Sequence, residues 1–127
     1  MILDKDLVRE ILLAVEKSNH LPIGWMDLDV PGRSKLEVSY HVRLLDEAGF
    51  IEAQDLSIAS EDGFDWRPKR LTFRGHDFLE TVRDNKIWGL TKDAAHRGGT
   101  ATIGFLWELG KVIAKQEIMQ RTGYSLA

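Results

Sequence analysis

The sequence predicts a mixed α+β fold in which helices outnumber strands. Apolar residues recur at helical spacing in several stretches, and two strand-like runs flank a turn-rich segment. Glycine or proline separates most of these stretches. With 127 residues, the chain is long enough for one ordinary domain with an appendage.

Composition narrows the class of protein. A hydrophobic content of 43% with 29% charged residues is typical of a soluble globular protein, and no apolar run approaches the roughly 20 residues of a membrane-spanning helix. The opening "MILDKDLVRE" is acidic where a signal peptide would be basic, so we expect a cytoplasmic protein. The absence of cysteine excludes disulfides, thiolate metal sites and a cysteine nucleophile.

The first element is a helix of about four turns. The segment "DKDLVREILLAVEKS" repeats apolar side chains at helical spacing, namely Leu7, Val8, Ile11, Leu12 and Val15. The next segment, "NHLPIGWMDLDVPGRS", holds two prolines and two glycines. Because Met26, Leu28 and Val30 alternate there with aspartates, it is interpreted as loop and short strand.

A second helix starts after Pro31-Gly32, where Ser34 and Glu37 form a capping box, and it should stop at Gly49. The runs "FIEAQDLSI" and "FDWRPKRLTF" follow, joined by the turn-rich "ASEDG", and predict a β-hairpin. Pro68 cannot donate to the strand ladder, so it should lie at an edge or a bulge.

Two further helices complete the prediction. Thr72 can cap a helix carrying Phe78, Leu79 and Val82, with Gly89 near its end. The glycine pair in "HRGG" indicates a hinge, and the last helix should run from about Thr100 to Arg121. The predicted organisation is a domain over 1–90, a linker over 91–99 and a C-terminal helix in 100–127.

Helix, strand, helix, two-stranded wing and helix is the order of a winged-helix domain, here with an added C-terminal helix. Residues in "VSYHVRLLDEAGFIEA" and "RLTFRGHDFLETVRDNKIWGLTK" closely resemble the bacterial and phage family named domain of unknown function 2513, over roughly residues 3–92. Within the first of these motifs, Asp46 stands where another residue is more usual in the family. The resemblance implies a winged-helix fold and phage origin, but no activity. "VSYHVRLLDEAGF" is also similar to the recognition helix of arsenic-sensor-type and multiple-antibiotic-resistance-type repressors.

A DNA-binding transcriptional regulator is therefore the first functional hypothesis, with double-stranded DNA as partner. On the outer arc of the second helix, Arg43 would contact guanine or phosphate, Ser39 a phosphate, and Tyr40 a thymine methyl or sugar. Supporting contacts with DNA would come from Arg33, Lys35 and Lys69. The alternative for Arg43 is an ion pair with Glu47, one helical turn away.

Charge favours a second hypothesis, a winged-helix protein-interaction module without DNA binding that takes a host or phage protein partner. Residues 1–90 hold 12 Lys and Arg against 17 Asp and Glu, a net charge of −5. The predicted wing tip carries Glu61, Asp62 and Asp65, which a DNA groove would repel. A continuous positive stripe from Arg33 to Lys69 would favour DNA, and its interruption would favour protein.

Other classes find little support in the sequence. No glycine-rich phosphate loop, nucleophile elbow or metal-ligand motif is present, so we expect no enzyme, no cofactor and no metal. His41 on the inward arc and His76 after the wing could approach each other, but two histidines alone indicate structural roles.

The last helix predicts a homodimer. An apolar stripe at i, i+3 and i+4 spacing comprises Ile103, Leu106, Leu109, Val112 and Ile113. Four further side chains broaden it beyond what a small domain readily covers, namely Phe105, Trp107, Ile118 and Met119. The alternative is that this helix folds back onto the first helix of its own chain.

Overall fold

The computed structural model describes residues 1–18, 21–99 and 101–125. These residues form five α-helices and one two-stranded antiparallel sheet, so the predicted α+β class is confirmed. The chain divides into two compact units, Met1–Leu79 (unit 1) and Glu80–Ala127 (unit 2). Among the described residues, no helix is both long and apolar enough to cross a membrane.

A side chain caps the start of each of the first two helices of unit 1. Helix α1 spans Lys5–Lys17, and the Asp4 side chain accepts a hydrogen bond from the Leu7 amide. Helix α2 spans Lys35–Glu47 and starts at the predicted capping box. Gly49 follows with a φ of +78°, a left-handed conformation that glycine adopts without strain. The predicted apolar stripe of α1 is buried in full.

The predicted hairpin is also present. Strand β1 spans Ile51–Asp55 and pairs in antiparallel fashion with β2, Trp66–Leu71. A bulge interrupts the register, because Glu52 lies opposite Arg70 whereas Ala53 lies opposite Pro68. Pro68 therefore lies beside a bulge, as its missing N–H predicts. Between the strands, Ser57–Ala59 form one 3₁₀ turn.

The short strand expected between α1 and α2 does not form within residues 21–34. The Met26 amide donates to the Pro68 carbonyl at 2.9 Å, and this is too little pairing to make a strand. His20 lies outside the described residues.

Between the hairpin and the last helix, one helix followed by a linker over 91–99 was predicted, but the structure has two helices there. Helix α3 ends at Val82 (Phe73–Val82), and α4 spans Asn85–Gly98. Asp84 caps α4 by accepting from the amides of Lys86 and Ile87, which starts a new helix. The α4 residues Ile87, Trp88, Thr91 and Ala95 are buried at helical spacing, so residues 91–98 pack instead of linking.

Helix α5 spans Ile103–Thr122, with the Thr102 side chain capping its first turn. Thr100, the predicted start, lies outside the described residues. Gly110 is buried, and a Cβ there would lie 3.3 Å from Thr81 and 3.7 Å from the Thr91 hydroxyl. The lack of a side chain thus permits close packing of α5 within unit 2.

Candidate interaction cleft

Unit 1 has a cleft of about 630 Å³ between the N-terminal half of α2 and the hairpin. The capping box fixes where α2 begins, so Lys35, Leu36 and Ser39 line one side. The loop and the first half of β2, residues 59–68 apart from Gly63, supply the other side. Apolar side chains make up much of the lining, including Leu28, Leu36, Val38, Phe64 and Trp66.

Carboxylates outnumber cations around this cleft. The acidic lining residues are Asp27, Glu61, Asp62 and Asp65, and the basic ones are Lys35 and Arg67. Glu61 and Asp62 are exposed at the tip of the hairpin loop, and no ion pair within the described part of the chain engages either one. The cleft therefore presents net negative charge beside an apolar surface.

Arg67 does not offset this charge, because it is already neutralised locally. Its guanidinium lies 3.1 Å from the Asp65 carboxylate and 3.9 Å from that of Asp27, and it stacks over the Trp25 ring at 4.4 Å. The hydrogen bond to Asp65 raises the pKa of Arg67 above its ordinary value, so this side chain stays charged and held.

Arg33, predicted to support DNA binding, is enclosed by carboxylates. Its guanidinium lies 2.6 Å from Asp4, 3.6 Å from Glu10 and 3.7 Å from Glu37. Contact with a phosphate would require it to leave three acidic partners. The structure therefore assigns Arg33 to joining α1 and α2, which opposes the predicted role.

The α2 side chains predicted to contact DNA are only partly accessible. Ser39 lines the cleft and retains 8% of its accessible surface, although helical periodicity placed it on the outer arc of α2. It therefore offers little surface for the phosphate contact predicted for it. Arg43 is half exposed and pairs with Glu47 at 3.4 Å, the alternative foreseen for it, while its guanidinium lies 5.7 Å from the Trp66 ring centroid.

Besides Arg43, three more of the residues predicted to contact DNA are accessible to a partner. Lys35 is exposed, and Tyr40 and Lys69 are partly exposed. No ion pair among the described residues engages Lys35 or Lys69. Arg33 and Arg43 are each paired with a carboxylate, which offsets their positive charge.

His41 holds the N-terminal half of α2 against the start of α1. The ring is fully buried, and its Nε2 accepts a hydrogen bond from the Asp4 amide at 2.8 Å. Its Nδ1 lies 2.8 Å from the Glu37 carbonyl oxygen. Since the amide can only donate and the carbonyl can only accept, the ring is neutral with its proton on Nδ1.

Nothing in the described part of the chain brings His41 into a metal site. His76 is exposed whereas His41 is buried, so the two histidines do not form a pair. No group of three or more His, Cys, Asp or Glu side chains among residues 1–18, 21–99 and 101–125 could hold a metal ion.

Asp4 makes unit 1 sensitive to acid. Partial burial acts to raise the pKa of Asp4, but hydrogen bonds from the Leu7 amide and Arg33 outweigh it and leave the pKa below 3.8. A carboxyl group whose pKa is lowered by folding stabilises the fold above its unfolded pKa, and this stability is lost as pH falls through the folded pKa.

We therefore expect the free energy of unfolding to fall as pH drops below 3.8. Asp4→Asn keeps a capping side chain but removes the charge, so it should flatten this dependence. Urea unfolding at a series of pH values measures the effect. Asp29→Asn, at an exposed carboxylate without an ion pair among the described residues, is the control. An Asp4→Asn profile that matches the wild type would contradict this assignment.

The predicted dimerisation residues do not share one exposed face. Leu106 retains 1% of its surface and is buried within its own chain, which opposes its predicted place in a dimer interface. Ile103, Leu109 and Ile113 are half-buried, and Val112 is exposed. A helix apolar on both sides does not reveal from its sequence which stripe the chain itself covers.

Sequence analysis did not identify Asp27, Leu28 or Phe64 as cleft residues. They come from two loops distant in sequence, and only the tertiary fold places them beside α2. One local signal was available, since Phe64 and Trp66 flank Asp65 in an otherwise polar turn segment. Aromatic side chains in such a segment indicate a surface that packs or binds.

Comparison with known proteins agrees with the two sequence motifs. A sequence family described as "Hypothetical protein (DUF2513)" matches residues 2–101. The chain is 36% identical to an uncharacterized protein of Haemophilus influenzae over 87 residues, which cover 68% of this chain and 72% of that protein. No solved structure matches the chain. The match to the family extends over most of the chain, which therefore belongs to the family Hypothetical protein (DUF2513).

Proposed function

We propose that unit 1 is a winged-helix module that binds protein, and that the cleft beside α2 receives a basic segment of the partner. The order α1, α2, β1, β2, α3 supports the winged-helix assignment, with the hairpin as the wing. The observation that carries the function is the pair of carboxylates without an ion pair among the described residues, Glu61 and Asp62, beside the apolar part of the cleft.

Charge complementarity identifies the chemistry of the partner. Residues 1–79 hold 10 Lys and Arg against 15 Asp and Glu, a net charge of −5. A segment that combines lysine or arginine with an apolar side chain would pair with Glu61 and Asp62 and cover Leu36 and Phe64. Such pairing favours association rate and specificity over raw affinity.

DNA binding is the second candidate, and the exposed outer face of α2 favours it. Lys35, Leu36 and Tyr40 lie toward the start of this helix, where recognition helices contact base edges and phosphates. Few cations are available to displace counterions, so such binding would be weak and salt-sensitive. Phage origin and a role in transcription regulation stay predictions.

Fluorescence anisotropy separates the two candidates. The probes are a labelled peptide rich in arginine and leucine, the same peptide with glutamate in place of arginine, and a labelled DNA duplex, all at low salt. We expect the full chain to bind the basic peptide and to prefer it to both other probes. The double variant Glu61→Lys/Asp62→Lys should weaken peptide binding by about tenfold.

The matched control is Glu80→Lys/Asp93→Lys, which makes the same change in net charge on exposed helical positions of unit 2. It should leave peptide affinity within about twofold of the wild type, because neither Glu80 nor Asp93 lines the cleft. Equal losses in both double variants would show a non-specific charge effect and contradict the cleft. Tighter binding of the duplex, weakened by Arg43→Ala and Tyr40→Ala, would establish the DNA candidate instead.

A further inference from the structure

Helix α5 has an inner face that unit 2 covers. Leu106, Gly110 and Glu117 are buried on this face. Glu117 pairs with Lys86 at 3.1 Å, and Arg121 pairs with Asp84 at 3.0 Å. Both ion pairs join α5 to the start of α4, so they fix which side of α5 points inward.

A second apolar stripe lies about a third of a turn around α5 from the buried face. Its positions alternate in steps of four and three residues, which is the spacing of a coiled-coil seam: Phe105, Leu109, Val112, Gln116 and Met119. Phe105, Val112 and Met119 retain 40%, 52% and 37% of their surface. At 1.5 Å per residue, the stripe is roughly 21 Å long. Apart from Gln116 the seam positions are apolar, and the described part of the chain leaves Phe105, Val112 and Met119 accessible.

We infer that this seam binds a second copy of the chain, with the two α5 helices antiparallel about a two-fold axis near Val112. The inference goes beyond the proposed function and does not depend on what the cleft binds. A two-fold axis pairs a surface with itself, and Val112 is the midpoint between Phe105 and Met119. Phe105 of one copy then lies near Met119 of the other.

Charges flanking the seam favour the antiparallel orientation. Glu108 and Lys115 are exposed, one heptad apart, on the same flank of the seam. In an antiparallel pair the same flanks face each other, so Glu108 of each copy lies near Lys115 of the other. A parallel pair would bring this flank against the opposite flank, which carries Leu106 and Ile113, and would leave both charges without a partner.

The monomer leaves Glu108 available for this exchange. In one chain Glu108 pairs with Lys111 at 3.0 Å, with both side chains largely exposed. Exposed pairs of this kind contribute little stability, so replacing that pair with one across the interface costs little. A dimer through this face also explains how α5 tolerates exposed Phe105 and Val112.

Light scattering coupled to size exclusion tests the inference on the full chain. The wild type at high micromolar concentration should give twice the mass of one chain. Val112→Glu should give the mass of one chain, because it brings two carboxylates together at the two-fold axis. Unchanged circular dichroism will show that this exposed substitution leaves the fold intact.

Charge exchange tests the orientation. Glu108→Lys and Lys115→Glu should each raise the dissociation constant of the dimer by about tenfold, because each places like charges across the interface. The double variant Glu108→Lys/Lys115→Glu restores opposite charges and should return the dissociation constant to that of the wild type. A single-chain mass for the wild type would overturn the inference. Single variants as tightly associated as the wild type would overturn the antiparallel orientation.

Discussion

Gly75→Ala is expected to lower the free energy of unfolding by about 3 kcal/mol or more, the upper end for overpacking a tight site. A Cβ at Gly75 would lie 1.9 Å from the Phe50 carbonyl oxygen and 2.9 Å from its carbonyl carbon. That carbonyl cannot easily retreat, because it accepts from the Thr72 amide at 3.0 Å. Thermal unfolding followed by circular dichroism measures the loss.

Gly89→Ala is the matched control. Gly89 also lies within a helix, α4, but a Cβ there would have nothing within 4 Å. Alanine exceeds glycine in helix propensity by up to about 1 kcal/mol, so this variant should be slightly more stable than the wild type. If the two variants changed stability alike, the close approach of α3 to Phe50 would be wrong.

His41→Ala is expected to cost roughly 3 kcal/mol, the second largest effect. The substitution removes a fully buried ring and leaves the Asp4 amide without its acceptor. The variant should also loosen the start of α2, which lines the cleft. Urea unfolding gives the change in free energy.

His41→Gln separates the hydrogen bond from the lost volume. The Gln side-chain oxygen can reach the position of Nε2 and accept from the Asp4 amide, so this variant should recover more than half of the loss. Equal destabilisation by alanine and glutamine would show that the bond to Asp4 contributes nothing measurable.

Local signals predicted much of unit 1. The capping box at Ser34, the glycine at position 49 and the turn-rich segment between the strands act over a few residues, and each is present as predicted. On the predicted inward arc of α2, Val38, His41, Val42 and Leu45 are buried, whereas Leu44 is partly exposed and Ala48 is exposed. These features need only periodicity and capping chemistry.

The incorrect predictions depend on longer-range packing. Ser39 lies on the outer arc by helical periodicity, but it is buried where α2 lines the cleft. The sequence does not show that Arg33 is ion-paired, because only the fold brings Asp4, the cap of α1, and Glu10 of α1 beside it. The break after Val82 does have a local signal, because Asp84 is a typical capping residue at the start of a helix. The prediction placed the helix end near Gly89 instead.

The central claim is that the cleft beside α2 binds a basic protein segment, and amide chemical-shift mapping tests it most directly. The isotope-labelled full chain is titrated with the arginine- and leucine-rich peptide, and separately with the DNA duplex. We expect the peptide to shift the amides of Leu28, Leu36, Glu61, Asp62 and Phe64 while those of α5 stay unchanged. Peptide shifts that avoid these residues, together with duplex shifts along Lys35 to Arg43, would contradict it.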